Sequence, residues 1–226
     1  MTSPWTPASP GWCLIVPVKA LDSAKTRLST WCGSALSPAA RQELALAFAL
    51  DTIDAAMCCP EVHAVVVVTD DRRVAGALAS SAVAVVPDVP AAGLNAAVRH
   101  GAGIARRSFA AGGIGALAAD LPALQPTELT AVLCAAQGYD TAMVADMDGS
   151  GTTLLLARSA ATFTPAFGVG SRGRHVAAGA VVLGENMMSL RRDVDTTADL
   201  SAALALGVGA ATSAQAARLL GRRGVA

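Results

Sequence analysis

Lysine is nearly missing from this chain. Of its 17 cationic side chains only Lys19 and Lys25 are lysines, and the rest are arginines. Charge of either sign is sparse, at 15% of residues, and 17 acids balance the 17 cations. A formally neutral chain gives no electrostatic argument for non-specific nucleic-acid binding. No stretch reaches about 18 uninterrupted strongly apolar residues, so no membrane-spanning helix is expected. Cysteine is scarce and badly spaced for cross-linking. Cys13, Cys32, Cys58, Cys59 and Cys134 are odd in number, two are adjacent, and no C-x-x-C occurs. That excludes a disulfide framework and a zinc site, and points to free thiols in a reducing cytoplasm. The histidines, His63, His100 and His175, have no partner at metal-ligand spacing. No G-x-x-x-x-G-K-[ST] run is present, which excludes a P-loop. Residues 1–11 lack a basic segment followed by an apolar one, and read as a disordered tail rather than a signal peptide.

What is present is an apolar chain, 53% hydrophobic over 226 residues, enough for one sizeable core. Strand-like runs at 12–18, 62–69, 83–86 and 112–119 alternate with helical patterns at 38–58, 70–80 and 94–109. This β-α-β alternation predicts a mostly parallel sheet with helices on both faces. Beyond residue 120 the alternation breaks. A helix at 126–137 is followed by strands at 141–145 and 152–157, a Gly- and Arg-rich loop at 163–175, and short strands at 181–183 and 190–194. A last helix runs from Thr196 or Thr197 to about 206. The second half therefore reads as an antiparallel addition. The fold class is α/β, with a single domain over 12–209 and a C-terminal tail of loose helical character over 210–226. A ligand pocket is expected along the carboxyl ends of the parallel strands.

Six segments, making five candidate sites, carry chemistry. In Pro17-Val-Lys19-Ala-Leu-Asp-Ser-Ala-Lys25-Thr-Arg27 both lysines and an arginine follow the first strand, a cluster suited to a triphosphate. The plainer alternative is a solvated basic turn. In Ala119-Asp120-Leu-Pro122 a carboxylate ends an apolar strand, where it can hold a metal ion or simply start a turn. In Arg191-Arg-Asp193-Val-Asp195-Thr-Thr-Ala-Asp199 the period-two spacing puts Asp193 and Asp195 on one side of an extended segment. With Asp120 they would form an oxygen-only Mg²⁺ site, although Asp195 could equally cap the helix that follows. Gly93-Leu94-Asn95 at a helix start could read a base edge or only shape a loop and cap. Gly149-Ser-Gly151-Thr152-Thr153 and Phe167-Gly168-Val-Gly170-Ser171-Arg172-Gly-Arg174-His175 offer hydroxyls, arginines and small residues to a small phosphorylated or carboxylated substrate.

In their order, P-V-K-x-L-x-x-A-K-T-R-L, L-N-x-A, D-L-P-A-L, G-S-G-T-T, F-G-x-x-S-x-x-x-H and D-V-D-T-x-A-D-L, these segments resemble the guanylyltransferases of coenzyme F420 biosynthesis. The resemblance covers roughly 12–207. It implies a nucleotidyltransferase of the GT-A type that joins GTP to phosphoenolpyruvate or 2-phospho-L-lactate. By position it implies Lys19, Lys25 and Arg27 along the triphosphate and Asn95 near the guanine or ribose. It places Mg²⁺ on Asp120, Asp193 and Asp195, and the acceptor on Thr152, Gly168 and Ser171. A downstream transferase of the same pathway is the implied functional partner. Two departures stand out: Ala119 replaces the frequent glycine before the D-L-P aspartate, and the loop before Leu94 is short. Transfer of another nucleotide, glycosyl transfer from a nucleotide-sugar, and non-catalytic nucleotide binding are the rival readings.

Overall fold

The first strand lies inside the sheet, and its residues 12–15 are paired on both sides. The structure, a computed structural model, describes residues 11–221 apart from 24, 29, 32, 110, 111 and 160. The expected N-terminal tail lies outside the described residues except for Gly11, as do Cys32 and 222–226. In chain order the strands are β1 (Trp12–Pro17), β2 (Thr30–Trp31), β3 (Ser34–Ala35), β4 (Val62–Val68), β5 (Ala84–Val86), β6 (Gly113–Leu117), β7 (Thr141–Val144), β8 (Leu154–Ala157) and β9 (Val181–Val182). The helices are α1 (Pro38–Met57), α2 (Arg72–Ala77), α3 (Leu94–Ser108), α4 (Pro126–Ala136), α5 (Ser171–Ala177), α6 (Met188–Arg191), α7 (Thr197–Leu206) and α8 (Ala210–Gly221).

The main sheet has the order β5-β4-β1-β6-β8-β7-β9. β1 pairs in parallel with β4 and β6, and β4 with β5. β8 runs antiparallel to both β6 and β7, while β9 is parallel to β7. This is the mostly parallel sheet with an antiparallel insertion that the sequence pattern predicts. Side chains alternate between two cores at period two. Leu14, Val16, Val65, Val67, Leu117, Val144 and Leu156 face α1, α2 and α4. Cys13, Ile15, Val66, Val68, Ala116, Met143 and Leu155 face α3.

Helix starts follow the local chemistry. Ser37 caps α1 by accepting the Ala40 N–H at 3.2 Å, with Pro38 at the first position. α7 opens on a reciprocal capping box between Thr196 and Asp199. Asp195 is therefore not the cap of that helix. Two expectations are corrected. The strand expected over 190–194 is the short helix α6 followed by an extended stretch, tied to the sheet region by Val194 N–H donating to Asp120 C=O at 3.0 Å. The loop expected over 163–175 contains the start of α5, because Ser171 and His175 are one helical turn apart and both turn inward. Helix α8 packs on α1. The buried Asp51 carboxylate of α1 accepts the N–H groups of Ala211 (2.9 Å) and Thr212 (2.8 Å) at the α8 start.

Helix α3 lies unusually close to the sheet at Gly101. A Cβ there would sit 2.7 Å from Ile15 Cγ2 and 2.8 Å from Val68 Cγ2, both β-branched methyls on fully buried residues. Alanine gains about 1 kcal/mol in helix propensity over glycine. Overpacking costs about 1–3 kcal/mol. Gly101→Ala is expected to lower stability by up to about 2 kcal/mol net, read as a shift in the urea midpoint at constant m-value. A midpoint at or above wild type would show that α3 can lift without loss.

Candidate active site

The carboxyl ends of β1 and β6 open into a cleft of about 490 Å³, within the range of small-molecule sites. β1 leads into Val18 and Lys19, and β6 into Ala118, Ala119 and Asp120. The β7–β8 turn adds Asp146, Gly151, Thr152 and Thr153 to the wall. Phe167, Gly168, Ser171, Asp193 and Asp195 complete the lining.

Asp120 is held from behind by α1. The buried Thr52 hydroxyl accepts the Leu121 N–H at 3.0 Å and donates to Phe48 C=O at 2.8 Å, with Ala119 C=O also within reach at 3.3 Å. The peptides on either side of Asp120 are thus fixed. Lys25 lies between two acids of the cleft. Its Nζ is paired with Asp120 and lies 2.9 Å from Asp195. Lys25 takes a left-handed backbone conformation (φ 53°), uncommon for a residue with a side chain, and its side chain is only 10% exposed. Burial works against the ammonium charge, but Asp120 and Asp195 outweigh it and hold the Lys25 pKa above its ordinary value. Asp195 shows the mirror effect. Burial pushes its carboxyl up, yet Lys25 and the exposed Arg27, which also pairs with it, hold it below the usual carboxylate range.

Asp193 is different. Burial and the nearby charges of Asp120, Asp195 and Asp146 raise its pKa to about 7, and Lys25 relieves this only in part. Among the described residues no group of three or more His, Cys, Asp or Glu side chains stands ready-made for a metal ion. The chemistry of the donor set nonetheless fits a hard cation. The oxygens are carboxylates only, and Asp193 sits among like charges with no ion pair of its own among the described residues.

The remaining expected residues fall into two groups. Lys19 lines the cleft and is exposed, and Thr152, Gly168 and Ser171 line it as a connected group, with Ser171 Oγ 3.0 Å from Thr152 Oγ1 and Ser171 N–H donating to Gly168 C=O at 2.9 Å. Asn95 and Arg27 do not line the cleft wall. The Asn95 amide nitrogen donates to Phe167 C=O at 3.0 Å, and its oxygen accepts the Phe167 N–H at 2.8 Å. Asn95 thereby ties the start of α3 to the loop that carries Gly168.

Two side chains were given no role of their own by the reading of the sequence. Asp146 accepts the N–H groups of Ser150 (2.9 Å) and Gly151 (2.8 Å), folding the β7–β8 turn back on itself. A Cβ at Gly151 would lie 2.3 Å from the Asp146 carboxylate and would push it off these two N–H groups. Its signal was an acid at a strand end before a G-S-G turn. The second is His175, 1% exposed and hydrogen-bonded to Thr152 at 2.9 Å. Its signal was the S-x-x-x-H spacing, legible only once the segment is known to be helical.

Fold and cleft together are those of a nucleotidyltransferase. A nucleotidyl transferase from Methanothermobacter superposes with a TM-score of 0.56 over 87% of this chain and 97% of its own, at 16% identity. Rv0371c from Mycobacterium tuberculosis H37Rv, solved in complex with manganese, gives 0.54 over 86% and 98%, at 18% identity. Residues 12–216 match the family described as guanylyl transferase, CofC-like, and the chain belongs to that family. A phosphoenolpyruvate guanylyltransferase from Thermomonospora curvata is 52% identical over 92% of this chain and 90% of its own.

Burial, and secondarily Arg174, lower the His175 pKa from 6.5 to about 4. The unfolded chain therefore takes up this proton first. Its contribution to stability is complete above about pH 6.5 and is lost as pH falls towards 4. In urea unfolding between pH 7 and 4.5, wild type is expected to lose stability more steeply than His175→Asn. Parallel curves would mean that His175 does not stay neutral in the folded protein.

Proposed function

We propose that this protein transfers GMP from GTP to phosphoenolpyruvate and releases pyrophosphate, a step in coenzyme F420 biosynthesis that takes place in the cytoplasm. Family membership supports the guanylyl transfer, and the phosphoenolpyruvate guanylyltransferase from Thermomonospora curvata supports the acceptor. The observation that carries the reading is one cleft lined by both sets of groups. Lys19, Lys25 and the carboxylates of Asp120, Asp193 and Asp195 line it together with Thr152, Gly168 and Ser171. Among the described residues no helix is long and apolar enough to cross a membrane.

In this reading a phosphate oxygen of the acceptor attacks the α-phosphorus of GTP in line. The new bond joins that oxygen to the α-phosphorus, the bond from the α-phosphorus to the bridging oxygen breaks, and pyrophosphate leaves with the electron pair. The acceptor phosphate is already anionic at neutral pH, so neither a general base nor a covalent enzyme intermediate is required. The protein's work is positioning and neutralising charge. Lys19 and Lys25 bind the triphosphate from the cleft and Arg27 reaches it from beside Asp195, with which it pairs; Thr152, Gly168 and Ser171 bind the acceptor, and the contact expected of Asn95 runs through the Phe167 loop it holds. A divalent ion, Mg²⁺ in this proposal, would be held by Asp120, Asp193 and Asp195 and would screen phosphate charge. The product is a reactive phosphoanhydride, and a downstream transferase of the pathway consumes it.

Pyrophosphate release from GTP with phosphoenolpyruvate, measured with the downstream transferase present, tests the reaction. The same assay with 2-phospho-L-lactate, 3-phosphoglycerate, ATP or CTP is expected to give far less. Release with 2-phospho-L-lactate alone would reassign the acceptor. Asp120→Asn is expected to lower turnover at least about 100-fold, with an unchanged melting temperature. Near-normal turnover in a folded variant would remove Asp120 from the chemistry. Mg²⁺ or Mn²⁺ is expected to raise the melting temperature of wild type but not of Asp193→Asn. An equal rise in both would place the ion elsewhere.

A further inference from the structure

Behind the acceptor wall lies a histidine with no place in the reaction so far. His175 Nε2 is 2.9 Å from the backbone nitrogen of Ala166. A backbone N–H can only donate, so Nε2 accepts, and the neutral ring carries its hydrogen on Nδ1. Nδ1 is 2.9 Å from Thr152 Oγ1 and donates to it. Ser171 Oγ is 3.0 Å from the same oxygen.

A count of hydrogens follows. The Nδ1–H and two hydroxyls supply three hydrogens, while the His175–Thr152 and Thr152–Ser171 bonds consume two. One O–H is left over whichever way the Thr152–Ser171 bond runs, and both residues line the cleft. With the ring in its other tautomer, Nδ1 would take the Thr152 hydrogen and Ser171 would donate to Thr152. No hydrogen would then remain for a ligand. The tautomer of a buried ring thus decides whether this wall donates to an anion or only accepts. The ring itself is held firmly, packed edge-on against Phe167 with centroids 5.2 Å apart.

We propose that His175 is a positioning residue for the acceptor: by donating to Thr152 it leaves one hydroxyl hydrogen of the Thr152–Ser171 pair free to bond an anionic oxygen. This rests on the reading that phosphoenolpyruvate occupies the Thr152 side of the cleft. Low basicity of the ring, from its burial and from Arg174, keeps it neutral at working pH.

The first test is ¹⁵N NMR of the wild-type imidazole at pH 7, expected to show Nδ1 protonated and Nε2 bare. The reverse tautomer overturns the proposal without any variant. The second is phosphoenolpyruvate binding by calorimetry. A hydrogen bond to a charged group is worth about tenfold or more in affinity. His175→Leu is expected to weaken phosphoenolpyruvate by about that factor while leaving GTP affinity within about twofold. His175→Asn, whose amide can still donate to Thr152, is expected to recover most of the loss. In a Thr152→Val background His175→Leu should add nothing, because the residue acts through Thr152. Unchanged phosphoenolpyruvate affinity, equal weakening of GTP, or losses that multiply in the double variant would each overturn the proposal. Neither readout needs turnover. A wild-type protein that binds phosphoenolpyruvate but releases no pyrophosphate sinks the proposed reaction and leaves this inference standing.

Discussion

Lys25 joins parts of the chain that are far apart in sequence. Its ammonium lies between Asp120, which follows strand β6, and Asp195, which follows helix α6. An ion pair this close to solvent could not assemble such a site by its own energy. Apolar packing does that work. Leu28, three residues beyond Lys25, and Val194, between the two aspartates, are both fully buried in one cluster with Leu44, Phe48 and Leu200. Burying those two side chains brings the basic turn and the acidic segment together, and the charges then set their final geometry. The surplus of carboxylate over cation that remains, concentrated on Asp193, is what gives the cleft its demand for a further positive charge.

Much of this was legible in the chain itself. Buried parallel strands announce themselves as unbroken apolar runs, and Cys13–Val18 and Val62–Val68 did so. Ser37-Pro38 and Thr196 marked helix starts because a cap is local chemistry. Legibility ended where structure depends on distant partners. The run 190–194 has strand-like composition, but Ser189 and Leu190 N–H groups are accepted by the Glu128 carboxylate of α4, which starts a helix there instead. Helix α5 was hidden by its glycines, and with it the inward turn of His175. Asp146 looked like a turn residue, and it is one. Its second role, as a charge facing Asp193, exists only in three dimensions.

The charged and the hydroxyl-bearing residues of the cleft are held differently. The charged ones rely on ion pairs around Lys25, a residue in left-handed backbone conformation. The hydroxyl-bearing ones rely on neutral hydrogen bonds and on backbone contacts, with Arg174 donating to Ala166 C=O (3.0 Å) and Val169 C=O (2.6 Å) and Asn95 gripping Phe167 from α3. Charge suits a polyanion whose many oxygens need screening. Directed hydroxyls suit a small ligand whose shape must be distinguished from close analogues.

Strand β8 is the one that opposes its neighbours in the sheet, and this reversal shapes the site. Because β7 arrives at the rim of the cleft and β8 departs from it, the nine-residue connection 145–153 delivers an acid and a threonine to the same mouth. A parallel strand in that position would need a long crossover and would re-enter from the far edge. In the proposed reaction, remodelling this connection would alter what the acceptor meets and leave the pairing of β1, β4 and β6 untouched. Selectivity for the acceptor could then diversify without disturbing the strands that carry the rest of the cleft.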